Sequence, residues 1–143
     1  MTISGPIIFV EDDLDDQEVF TEALRELGIT DNYKFFGDGK EALEYLQTTT
    51  EQPFVIFCDV NMPRLNGIEL RNEINNSNYL KQKSIPFVFF TTALNKKLVD
   101  EAFSLSVQGF FKKPEEFSQI MHIIKQVLDY WYNSKHPNSI RFS

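Results

Sequence analysis

The residues best suited to chemistry in this 143-residue chain stand at four places where an apolar run stops. Glu11 and Asp12 follow residues 6–10 (PIIFV), Asp59 follows residues 54–58 (FVIFC), Thr91 follows residues 87–90 (FVFF), and Lys113 comes shortly after residues 109–111 (GFF). Read singly, each has a plainer role. A lone Asp59 could cap a helix or sit in a loop, and Glu11 or Asp12 could cap the helix that follows. Asp13, Asp15 and Asp16 read as negative charge placed near a helix N-terminus. Read together, the set implies more. Three carboxylates brought close repel one another unless a cation joins them. Oxygen donors without cysteine or histidine favour Mg2+ over zinc, and few protein ligands suit an ion that keeps several waters. An acidic nucleophile beside a divalent cation, a lysine and a hydroxyl is a place to receive a phosphoryl group.

Such a meeting requires a fold that gathers distant strand ends. The runs at 6–10, 54–58 and 87–90 are rich in aromatic and β-branched residues, as strands buried on both faces of a parallel sheet are. Tyr33, Phe35 and Phe36 suggest a further strand closed by Asp38 and Gly39, and residues 109–111 a short fifth. Between these lie helical patterns. Val19, Phe20, Ala23, Leu24 and Leu27 recur at steps of three and four, with Gly28 placed to cap the end. Ala42, Leu43 and Leu46 mark a second helix; Ile68, Leu70 and Ile74 a third; Leu98, Val99, Ala102, Phe103 and Leu105 a fourth. The last and longest carries Phe117, Ile120, Met121, Ile124, Val127, Leu128 and Trp131, a stripe broad enough to cover one edge of the sheet. Residues 75–84 (NNSNYLKQKS) read as a frayed helix end and a loop.

Five strands alternating with five helices predict right-handed βαβ units and a doubly wound, five-stranded parallel sheet of flavodoxin-like order 2-1-3-4-5. In that order strands one and three are adjacent, so the acidic pair faces Asp59 at the switch point, where open α/β sheets bind ligands. A single domain is expected over residues 1–132, with residues 133–143 (NSKHPNSIRFS) as a tail.

Composition narrows the function further. Fourteen basic against 21 acidic residues give a formal charge of −7, which disfavours a nucleic-acid surface. No leader pattern and no apolar run of membrane-spanning length occur, so a cytoplasmic protein is expected. The one cysteine, Cys58, excludes an internal disulfide and reads as a small buried core residue. His122 and His136 have no strand-end company and read as surface residues.

The acidic end of IIFVEDD, the segment DVNMPRLNG, the strand end FFTTA and the segment GFFKKP, in this order and spacing, resemble the receiver domain of two-component response regulators. The resemblance runs from about Pro6 through the last helix. It implies that Asp59 is the phosphoacceptor, that Glu11, Asp12, Asp59 and the backbone carbonyl of Asn61 contact Mg2+, and that Lys113 pairs with the phosphate. It makes Thr91 the switch hydroxyl and Phe110 the switch aromatic, with Val60, Asn61 and Thr92 as backbone contacts to the phosphate. It also implies a cis peptide at Lys113–Pro114.

The partners implied are a sensor histidine kinase or a histidine phosphotransfer protein as donor and a downstream protein as target. The face formed by the fourth helix, the fifth strand and the last helix would carry the signal or a homodimer contact. No output domain is expected, and the aromatic end of the last helix (DYWY) resembles stand-alone receivers, including those paired with phytochrome-type kinases. No enzymatic turnover beyond slow self-dephosphorylation is implied. A phosphatase of the haloacid-dehalogenase type wants a second aspartate two residues after the first, where this chain has Asn61. A flavin module of flavodoxin type needs a hydroxyl- and glycine-rich phosphate loop where this chain has Glu-Asp-Asp. The remaining alternative is a receiver-like interaction module without phosphotransfer.

Overall fold

A computed structural model describes residues 5–135. Its centre is a parallel sheet of five strands, β1 (Ile7–Val10), β2 (Tyr33–Phe36), β3 (Val55–Cys58), β4 (Phe87–Thr91) and β5 (Gly109–Lys112), in the order β2-β1-β3-β4-β5. The expected topology is therefore present. Six helices connect and cover the strands: α1 (Leu14–Glu26), α2 (Gly39–Thr48), α3 (Gly67–Asn75), α4 (Asn78–Lys83), α5 (Lys96–Ser104) and α6 (Phe117–Asn133).

One helix more than expected occurs because residues 78–83 are helical rather than loop. Ser77 caps α4 by accepting the Leu80 N–H at 3.2 Å, and Leu80 is the one side chain the helix buries. One apolar anchor in six residues leaves no periodic pattern to read.

Because neighbouring strand residues point to opposite faces, the apolar runs supply two cores at once. Ile8, Val10, Ile56, Cys58, Phe87 and Phe89 meet side chains of α2, α3, α4 and α5 on one face. Ile7, Phe9, Val55, Phe57, Val88 and Phe90 meet α1 and α6 on the other. The α6 stripe thus covers a face beside α1 rather than an edge: Ile120, Ile124, Val127 and Leu128 are buried there, while Phe117 at its start is exposed. On this face Phe9 stacks against Phe20, Phe35 and Phe57 with centroids 5.3, 5.1 and 4.9 Å away, and Phe20 reaches Phe90 at 5.5 Å. The aromatic packing fixes α1 against the sheet.

Helix ends follow local chemistry. Gly28, at φ +82°, ends α1; its N–H donates to Arg25 O and the Ile29 N–H to Leu24 O, a reversal suited to glycine. Asn66 and Glu69 cap α3 reciprocally. All peptide bonds among the described residues are trans, including Lys113–Pro114, where the resemblance implied cis. Trans is the ordinary state of an X–Pro bond, favoured by about 0.5–1 kcal/mol. Of the expected tail, residues 136–143, including His136, lie outside the described residues.

Candidate functional site

The sheet's register decides which side chains meet. Val10 pairs with Cys58 and with Phe36, and Thr91 pairs with Lys112, so Glu11, Asp59 and Lys113 each lie one residue beyond the paired strands. Backbone bonds extend the ladders past those ends: the Asp59 N–H donates to Val10 O at 2.9 Å, the Glu11 N–H to Phe36 O at 2.9 Å, and the Lys113 N–H to Thr91 O at 2.8 Å. Rigid strands therefore aim the charged residues at one place.

Glu11, Asp12 and Asp59 each bring a carboxylate oxygen within 4.8 Å of the others. This set of hard oxygen donors, with neither histidine nor cysteine in it, is compatible with a divalent cation. The Lys113 ammonium lies against the same group. It bonds Glu11 Oε1 and donates to Asp16 Oδ2 at 2.9 Å and Asp59 Oδ2 at 3.1 Å. Side-chain exposure is 7% for Lys113, 2% for Glu11 and 13% for Asp59, so little water screens them. Burial opposes the ammonium, but the bonds to Glu11 and Asp16 outweigh it and hold Lys113 above the usual lysine range. Burial dominates at Glu11, with the Asp59 charge adding to it, and pushes the carboxyl up to about 7 even with Lys113 beside it.

The loop after β3 is built to keep Asp59 presented. Its Oδ1 accepts the Val60 N–H at 2.7 Å. The Gly67 N–H donates to Val60 O at 2.8 Å, and a Cβ at Gly67 would lie 2.2 Å from Asp59 O, so only glycine lets α3 start this close. Arg64, at φ +64°, donates from Nε to Asp38 Oδ2 at 3.0 Å and from a terminal nitrogen at 2.9 Å. Asp38 also caps α2 through the Glu41 N–H, and the Gly39 N–H donates to Leu65 O. The loop after β3 is thus clamped to the N-terminus of α2.

Thr91 is buried at the end of β4, where its Oγ1 accepts the Ala93 N–H at 3.2 Å. Thr92 and Asn61 are exposed. Phe110 is half-buried, its ring centroid 5.8 Å from that of Phe89. Cys58 is fully buried, and burial drives its thiol well above the usual range, as expected of a core residue. His122 is exposed on α6. Asp13 does cap α1, accepting the Asp15 and Asp16 N–H groups.

Asp16 departs from the reading that gave it only to the helix N-terminus, because its side chain also reaches Lys113. The signal was present: counting from Asp16, Phe20, Ala23, Leu24 and Leu27 follow at helical spacing, so the acid stands on the buried stripe.

Comparison with known proteins agrees with the geometry. A family model described as the response regulator receiver domain matches residues 7–125. The probable methanogenesis regulatory protein FilR2 of Methanothrix harundinacea is 28% identical over 87% of this chain and 82% of its own length. The crystal structure of the phosphorylated cyanobacterial phytochrome response regulator RcpA superimposes with a TM-score of 0.82, at 27% identity, covering 94% of this chain and 98% of that one. The Mn2+-bound form of response regulator Rcp1, from Synechocystis, superimposes with a TM-score of 0.78, at 26% identity, covering 92% of this chain and 97% of that one. With sheet order, strand-end acids and lysine all in agreement, the chain belongs to the response regulator receiver domain family.

Proposed function

We propose that Asp59 accepts a phosphoryl group from a phosphohistidine on a sensor histidine kinase or a histidine phosphotransfer protein. One Asp59 oxygen forms the new O–P bond as the P–N bond breaks, and that bond's electron pair stays on the imidazole nitrogen. Lys113 follows the phosphoryl oxygens with its charge, and the N–H groups of Val60, Asn61 and Thr92 are the donors for them. Mg2+, when bound by Glu11, Asp12, Asp59 and the Asn61 carbonyl, supplies charge neutralisation on the phosphoryl oxygens. Thr91 then turns its hydroxyl toward the phosphate and Phe110 packs further inward. This biases the face of α5, β5 and α6 toward a downstream protein or a second copy. The acyl phosphate is lost by slow self-dephosphorylation, and no separate substrate is turned over. Among the described residues no helix is long and apolar enough to cross a membrane, and a cytoplasmic setting with a soluble partner fits the reading.

The convergence of Glu11, Asp12, Asp59 and Lys113 at the carboxyl end of the sheet carries this proposal. The phosphorylated state of RcpA and the Mn2+ of Rcp1 support it by likeness. Incubation with a panel of phosphorylated histidine kinases and histidine phosphotransfer proteins tests it. Label should move to the wild-type chain and not to Asp59→Asn. Label on Asp59→Asn would overturn the assignment of the acceptor; no label on either chain from any donor would favour an interaction module without phosphotransfer.

A further inference from the structure

Lys113 has more carboxylate partners than one ammonium can neutralise. Two of them, Glu11 and Asp59, also belong to the cluster compatible with a divalent cation. The third, Asp16, does not. It comes from α1, with 34% of its side chain exposed, and one turn further along the same helix the Phe20 ring centroid lies 5.9 Å from the Lys113 nitrogen. Asp16 and Phe20, four residues apart, therefore present a carboxylate and a ring face to the ammonium from one side of α1. Phe20 is held there by its stacking on Phe9 and Phe90. Gln17, between them, ties α1 to the end of β1 by donating to Glu11 O at 2.7 Å.

Without a divalent ion, Lys113 is the internal cation of the cluster. A divalent ion that takes Glu11, Asp12 and Asp59 places two further positive charges beside it. The ammonium then loses attraction on one side and gains repulsion. It is too buried to be stabilised by water alone, so it needs another partner within its present reach. Asp16 is that partner, because its carboxylate already accepts the ammonium and lies outside the metal-binding set.

We propose that Asp16 is a positioning residue for Lys113. With Phe20 it forms a second seat onto which the ammonium withdraws when a divalent cation enters the Glu11, Asp12 and Asp59 cluster. This rests on the metal-assisted phosphoacceptor reading given above. Without Asp16 the lysine stays on Glu11 and Asp59 and competes with the incoming ion. Asp16 thereby sets metal affinity while touching neither metal nor phosphoryl group.

Titration calorimetry of the intact chain with MgCl2 tests this, with Asp15→Asn as the control for charge alone. Asp15 is an exposed neighbour on α1 carrying the same charge, and its carboxylate is not among those the Lys113 ammonium bonds. The expected result is an Mg2+ dissociation constant raised about five- to ten-fold in Asp16→Asn and less than about two-fold in Asp15→Asn, the range for coupled charges in contact. In a Lys113→Gln background the Asp16→Asn effect should shrink to less than about two-fold, because there is no ammonium left to reseat. Should that background fail to fold, the Asp15→Asn comparison still decides. Equal weakening by Asp16→Asn and Asp15→Asn, or wild-type affinity in Asp16→Asn, overturns the role of Asp16 and leaves the phosphoacceptor reading intact. Absence of Mg2+ binding by the wild-type chain overturns both.

Discussion

Two acid–base clusters stand at the carboxyl end of the same sheet, and they are built differently. At the end of β1, β3 and β5, one buried ammonium serves three carboxylates, and Asp12 adds a fourth nearby. At the end of β2, Asp38 meets a single guanidinium from Arg64, about half exposed, and its own helix N-cap donor. The perturbations have opposite signs. Burial pushes Glu11 up to about 7. Burial also opposes ionisation of Asp38, but the Glu41 N–H and Arg64 more than compensate and hold it below the usual range. A cluster with surplus negative charge is poised to take up a cation, whereas a balanced one is a clamp. Position at the carboxyl end of the sheet does not make a site; unmet charge does.

The sharpest way to break this contrast is to remove the lysine. Lys113→Ala leaves buried Glu11 facing no cation, and at about pH 8 unfolding in urea should show a loss of about 3 kcal/mol. The loss should shrink at about pH 5.5, where Glu11 can take up a proton, and with added Mg2+. A loss independent of pH and Mg2+ would mean that the cluster is held by packing rather than charge.

Removing Glu11's charge gives a smaller, pH-dependent effect. Its folded-state pKa lies above the reference of 4.5, so the stability it confers is full below about 4.5 and is lost as pH rises through about 7. The metal-free chain should therefore lose stability across that window, and Glu11→Gln should lose less. Mg2+ affinity of the wild-type chain should rise over the same range, with proton release visible as a buffer-dependent heat in calorimetry. Affinity flat across this range would contradict the raised Glu11 carboxyl.

For the clamp the expectations are lower. Asp38→Ala deletes the α2 cap and the partner of Arg64, costing about 1–2 kcal/mol. The sign of its pH dependence is reversed: stability from Asp38 is present above the usual aspartate pKa and disappears as pH falls through the lowered one. Arg64→Ala removes a half-exposed partner and should cost less than about 1 kcal/mol in the same urea titration. An Arg64→Ala loss as large as that of Lys113→Ala would erase the distinction between the clusters.

The sequence carries these two clusters unequally. Strand order and the meeting of Glu11, Asp59 and Lys113 are legible because continuous apolar runs announce buried parallel strands, and each run ends visibly at a charged or hydroxyl residue. The clamp is not, since Arg64 is brought to Asp38 by the loop after β3, whose path depends on backbone at φ +64° and on Gly39 packing against Leu65. Helix α4 was hidden by its polar composition. Asp16 was obscured by the neighbouring acids: in a run of five carboxylates, helix-terminus charge explains them all, and only its place on the stripe of Phe20, Ala23 and Leu24 separates it.

The proposed role of Asp59 as a metal-assisted phosphoacceptor rests on the surplus carboxylate charge around it. Intact-mass measurement after incubation with acetyl phosphate tests it most directly, comparing wild-type and Asp59→Asn chains, each with Mg2+ or with EDTA. One added phosphoryl group is expected on the wild-type chain with Mg2+ and none in the other three samples. Equal phosphorylation with EDTA, or of Asp59→Asn, would contradict it.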